Sequence, residues 1–160
     1  MGFCSEFASK KNETESFVRA NITGNKLGVA LRHVAKALAE TEQLARALNI
    51  LSDVTDASNR TPILIAAANI QARAGDAAAA LATASTIEEV RFRAVVLGQI
   101  AQAQAEKGDL AAAEGTLEMA MAAIEKIKLP YARSYAVNRV SMATAGWRST
   151  TTTSKPARAR

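Results

Sequence analysis
From Leu27 onward the apolar positions keep a helical period. Leu31, Val34, Ala35 and Leu38 take the i, i+3, i+4, i+7 places of one helix face. A break near Thr41-Glu42 opens a second helix carrying Leu44, Leu48 and Leu51. Residues 53–59 are polar turn chemistry, and Pro62 is expected in the first turn of a third helix, where its missing N–H has no helical partner to lose. That helix should run to about Ala74, with Gly75 closing it and Asp76 capping its successor. Helices near 91–107 and 109–128 repeat the arrangement across Gly108-Asp109, Pro130 ends that pair, and a seventh helix covers about 131–145. Residues 1–26 show no sustained period and read as mostly irregular, with a short helix allowed over 14–22 and closed by Gly24. Residues 148–160 (RSTTTTSKPARAR) have nothing to bury and read as a disordered basic tail.

Two of these segments repeat each other. Gly75-Asp76 and Gly108-Asp109 lie 33 residues apart, and the flanking residues keep the same offsets: Leu64/Leu97, Ala67/Ile100, Ala68/Ala101 and Gln71/Gln104 before the pair, Ala80/Ala113, Ala84/Leu117 and Ile87/Ala120 after it. A looser copy lies upstream when Glu42 is aligned with Gly75. Val137, Val140 and Ser141 continue the series downstream, without a partner helix. The last interval is 40 rather than 33, since Arg93 and Arg133 each precede the first anchor by four residues. Seven extra residues are about two helical turns, so the second helix of the third pair should be longer. A period in the low thirties built from two helices is characteristic of stacked helical arrays, whose units bury their apolar faces only against neighbours. The expected fold is an all-α, right-handed α-solenoid of about seven helices in stacked antiparallel pairs, with one repeat domain over 27–147.

The run Leu97…Ile100-Ala101…Gln104…Gly108-Asp109…Ala113…Leu117…Ala120 resembles a tetratricopeptide (TPR) motif, and 60–90 resembles it nearly as closely. In that motif small residues sit where paired helices touch, and Gly-Asp makes the turn. The chain departs from it in three places. Leu and Ala stand where the first helix usually carries aromatics, Glu42 replaces a turn glycine, and the closing proline is the displaced Pro130. The resemblance implies a concave groove lined by the first helix of each pair, with ligand-facing places one, five and nine residues after the first anchor. Those places hold Arg32, Lys36 and Glu40, then Ile65, Asn69 and Arg73, then Gly98, Gln102 and Glu106, and finally Asn138 and Met142. The candidate groove set is therefore Arg32, Lys36, Asn69, Arg73, Gln102 and Asn138. Arg and Lys beside an amide suit a peptide carboxylate through charge-assisted and bidentate hydrogen bonds. The alternative is that these are ordinary solvated side chains.

Composition suits stacked helices. Alanine makes up about a fifth of the chain and aromatics only 4%, which fits small-faced packed helices. No stretch approaches the ~18 apolar residues of a membrane span. The first residues lack a secretory h-region, and one cysteine, Cys4, allows no internal disulfide, so a cytoplasmic setting is expected. The net charge of +5 belongs to the ends. Residues 148–160 hold four bases and no acid, whereas 27–147 balance. A neutral body without stacking aromatics argues against nucleic acid, which remains the second reading through the basic tail. A lone histidine, His33, cannot form a metal site, and Cys4 has no adjacent base. Glu88-Glu89 point apart on a helix, and no nucleotide loop or nucleophile elbow is present.

The expected protein is thus non-catalytic and free of cofactor and metal. It is a scaffold or adaptor holding a peptide or partner protein, acidic or ending in a carboxylate. Met119 and Met121 read as gap-filling core residues. The helix near 131–145 either caps the stack or completes itself against a larger partner or, through Val140 and Met142, a second copy.

Overall fold
The computed structural model describes residues 13–20, 22, 25–39 and 44–151, with the side chains of 25, 36, 39 and 146–151 outside the description. Cys4, Glu40, Glu42 and the tail from residue 152 also lie outside it. The described residues are all-helical and contain no strand. In chain order the helices are α1 (13–20), α2 (Asn25–Ala39), α3 (Leu44–Ile50), α4 (Ala57–Ala74), α5 (Ala77–Ser85), α6 (Val90–Glu106), α7 (Leu110–Glu125) and α8 (Pro130–Thr151). They fall into two compact units, Met1–Ile70 and Gln71–Arg160, so the boundary lies within α4.

Three local outcomes differ from the sequence pattern. First, α4 starts at Ala57 and Pro62 lies inside it rather than in its first turn. Asp56 explains the early start: its carboxylate accepts from the Ser58 N–H at 2.8 Å, and its backbone carbonyl already accepts from the amide of Arg60 at 3.0 Å. Second, α8 runs on to Thr151, past the expected end near 145, because no proline interrupts the chain before Pro156. Third, the short helix allowed over 14–22 is present as α1, and it is held by side-chain bonds that the apolar pattern did not show. Val18 is buried, and Arg19 donates to Glu15 and lies 2.7 Å from Asp53, while Arg46 on α3 donates to Glu15 at 2.9 Å. The hydrogen bond to Asp53, followed by that to Glu15, pushes the Arg19 guanidinium above its ordinary range, against the effect of burial.

In the first unit α2 packs on α3. Leu31, Ala35, Leu38, Ala47 and Ile50 are fully buried, while Lys26 and His33 of α2 are exposed. In the second unit α6 is central, packed on α5, α7 and α8. A helix with neighbours on several sides is apolar round much of its circumference, and residues 94–98, 100, 101, 103 and 104 of α6 are accordingly buried.

The 33-residue repeat is also a repeat of geometry. Gly75 and Gly108 have φ of 97° and 87°, a left-handed conformation that favours glycine. The Gly75 N–H donates to Ala72 O at 3.0 Å and the Asp76 N–H to Gln71 O at 2.9 Å. The Gly108 and Asp109 amides make the same pair of bonds to Ala105 and Gln104 at 2.9 and 3.0 Å. These are Schellman closures, which satisfy the last carbonyls of α4 and α6. Each aspartate then caps the next helix, accepting from the amides of Ala79 and Ala112 at 3.0 and 3.1 Å. Every residue pair of the repeat, from Leu64/Leu97 to Ile87/Ala120, is buried in both copies.

One equivalent pair diverges. The Thr83 hydroxyl donates to Gln71 Oε1 at 2.8 Å, whereas the buried Gln104 Oε1 has no partner among the described residues. A buried acceptor without a partner carries its full desolvation cost. Gln71→Met should therefore lower stability by about 1 kcal/mol, while Gln104→Met should leave it unchanged or raise it. Urea titration of both variants checks the difference. Gly108 has open space around its α-carbon, so Gly108→Ala should incur only the backbone cost, about 1–2 kcal/mol. Gly108→Asn should cost less, because asparagine tolerates this conformation; the same titration reads both.

Candidate functional site
The expected groove residues lie on α2, α4, α6 and α8. Arg32, on α2, is half-buried, and its Nη2 lies 3.1 Å from Nε2 of His33. Asn69 is half-buried and Arg73 exposed, four residues apart near the end of α4. The Lys36 side chain lies outside the described residues. In α6, Gln102 Nε2 donates to Glu106 Oε1 at 2.8 Å, so two of the expected ligand-facing places engage each other. Gly98, a third such place, is buried: a Cβ there would meet Val140 Cγ2 at 3.1 Å and its Cα at 3.3 Å. The place is taken by α8, which approaches α6 closely over this glycine. Asn138, the corresponding position of α8, is exposed.

The same contact corrects the reading of α8. Val140 is only 3% exposed and belongs to the core, whereas Met142 is 62% exposed and Val137, expected as a buried anchor, is 43% exposed. Ala132, Ala136, Val140 and Thr144 form the buried stripe, at the i, i+4 spacing that faces α6. Val137 corresponds to Leu97, and among the described residues no second helix of a fourth pair stands over it.

Three arginines carry structure that the pattern of apolar residues did not reveal. Arg60 Nη1 donates to Val54 O at 3.0 Å and to Leu51 O at 2.7 Å. Arg93 Nη1 donates to Ile87 O at 3.0 Å. Arg133 Nε donates to Ile127 O at 3.0 Å and its Nη2 to Glu125 O at 3.1 Å. In each case the guanidinium near the start of a helix holds the carbonyl six residues earlier, and that carbonyl belongs to a buried residue. Carbonyls at a helix end lack intrahelical donors, and a planar fork of N–H groups is well shaped to meet them. The available signal was the recurrence of Arg four residues before each anchor.

The longer second helix of the third pair is present, and it creates a cavity. In repeat register Ser85, where α5 ends, corresponds to Glu118, but α7 continues to Glu125. The overhang presents Met119, Ala122, Ala123 and Lys126 along one stripe. With Ser85 and with Arg93 and Leu97 of α6 they line an open-sided cavity of about 390 Å³. Met119 and Met121 are therefore not core residues; they are 52% and 50% exposed. The charged lining residues, Arg93 and Lys126, are both cations.

The chain matches no protein-family model, no curated protein and no solved structure. Among the described residues no cluster of three or more His, Cys, Asp or Glu is placed to hold a metal ion, and no helix is long and apolar enough to cross a membrane. Arg60→Ala should cost about 1–2 kcal/mol through loss of two charge-assisted bonds at a half-buried site. Arg60→Lys should recover only part of this, because an ammonium cannot reproduce the fork. Chemical denaturation followed by circular dichroism checks both values.

Proposed function
We propose that the chain is a TPR-like helical repeat protein. Its helix pairs stack as a right-handed α-solenoid that works as a non-catalytic scaffold or adaptor, holding a peptide or partner protein. The observation that carries this reading is the coincidence of the two Gly-Asp turns in dihedral angles, Schellman bonds and aspartate caps at a 33-residue interval. The placement of α6 against both its own successor α7 and the next first helix α8 supports stacking of equivalent units. Such units present a series of polar side chains on one face, and Arg32, Lys36, Asn69, Arg73, Gln102 and Asn138 are the residues assigned to it. Arg73, exposed on the last turn of α4, is the cation best placed to receive a carboxylate.

Calorimetric titration with a synthetic acidic peptide tests the reading, with a free and with an amidated C-terminus. Arg73→Glu should weaken binding at least tenfold, about 1.4 kcal/mol, with an unchanged helical spectrum. Unaltered affinity in that variant would remove Arg73 from the site, and indifference to amidation would remove the terminal carboxylate.

A further inference from the structure
The cavity under the α7 overhang lies in the single compact unit Gln71–Arg160 and includes none of the groove residues. We propose that it is a docking pocket for an apolar side chain next to a carboxylate, presented by an acidic segment of a partner protein. The proposal rests on the interaction-module reading but not on the groove.

The length mismatch makes the pocket. Through Glu118 the two second helices correspond, and beyond it α7 runs on with no counterpart in α5. Its inner stripe, including Leu117, Ala120 and Ile124, stays buried, because α6 covers that side. The second stripe, at 119, 122, 123 and 126, opens onto the cavity, with Ser85 at the end of α5 on its rim. Its floor is apolar: Leu97 and Ala123 are buried there, and the thioether of Met119 is free to repack around a guest. About 390 Å³ is within the range of ligand-sized clefts and exceeds the needs of one large side chain.

Charge selects the guest. Among the described residues, Arg93 and Lys126 stand in the lining without an acid. Arg133, bonded to the carbonyls of Glu125 and Ile127 on either side of Lys126, adds a third cation at the same helix end. One nitrogen of Arg93 is committed to Ile87 O. That bond fixes the guanidinium plane, and the fork carries further donors with which to meet a carboxylate. A basic segment, including the chain's own C-terminal residues, would be repelled. An uncharged apolar segment would leave the cations without a counter-charge.

Selection of random phage-displayed peptides on the full chain tests the pocket. The enriched peptides should place Leu, Ile, Met or Phe within a turn of Asp or Glu. Enrichment of basic or uncharged sequences, or none at all, overturns the proposal. With the best peptide synthesised, Ala122→Trp, which fills the cavity from an exposed position, and Lys126→Glu should each lower affinity tenfold or more at unchanged helicity. Exchanging the peptide's acid for lysine should restore binding to Lys126→Glu. Full affinity in either variant overturns the pocket. Arg73→Glu, measured alongside, reports on the groove alone: if it abolishes binding while the pocket variants do not, the groove stands and the pocket falls, and the reverse result separates them the other way.

Discussion
Where one helix ends and the next pair begins, an arginine bridges the gap by donating to the carbonyl six residues behind it. A helix leaves its final carbonyls without donors, and at these junctions water is excluded by the buried Val54, Ile87 and Ile127. A guanidinium answers both demands, because it carries several donors in one plane and stays charged at every relevant pH. The bond also sets where the following helix can start, so the phase of α4, α6 and α8 relative to what precedes them is tied to Arg60, Arg93 and Arg133. Within a pair the complementary task falls to glycine and aspartate, one reversing the backbone and the other capping the new helix.

Given these fixed points, segment length becomes the variable. Seven residues added to the second helix are nearly whole turns, so α7 grows without rotating its inner stripe away from α6. The addition has no effect on the neighbouring junction, which still closes through Arg133 at the same offset of six. What changes is the surface: the added turns run beyond the level of Ser85, and Met119, Ala122, Ala123 and Lys126 line an open cavity there.

The elements that could be read from the sequence are those determined locally. Gly75 and Gly108 were legible because a left-handed backbone has one favoured residue, and Asp76 and Asp109 because a cap needs a short acceptor. The anchors from Leu64 to Ala120 were legible because their spacing is that of a helix face. The elements that escaped depend on neighbours distant in sequence. The position of α1 rests on Glu15 meeting Arg46 across 31 residues. Val137 and Val140 exchange their expected roles because burial follows which helix is present, and period alone does not say. Gly98 looked like a groove position until α8 was placed over it. Met119 reads as core from its alanine-rich helix, yet it lines an open cavity and is half exposed.

The short reach of these bonds has a consequence for how the chain acquires its form. The arginine bridge spans six residues, the aspartate cap three and the Schellman closure five. Closing such small loops costs little chain entropy. Folds dominated by near neighbours along the chain also form quickly. Each turn and junction can therefore be completed as soon as its own residues have left the ribosome, without waiting for any segment still to be synthesised. Packing then follows from neighbour to neighbour, because each apolar face waits for the helix that covers it.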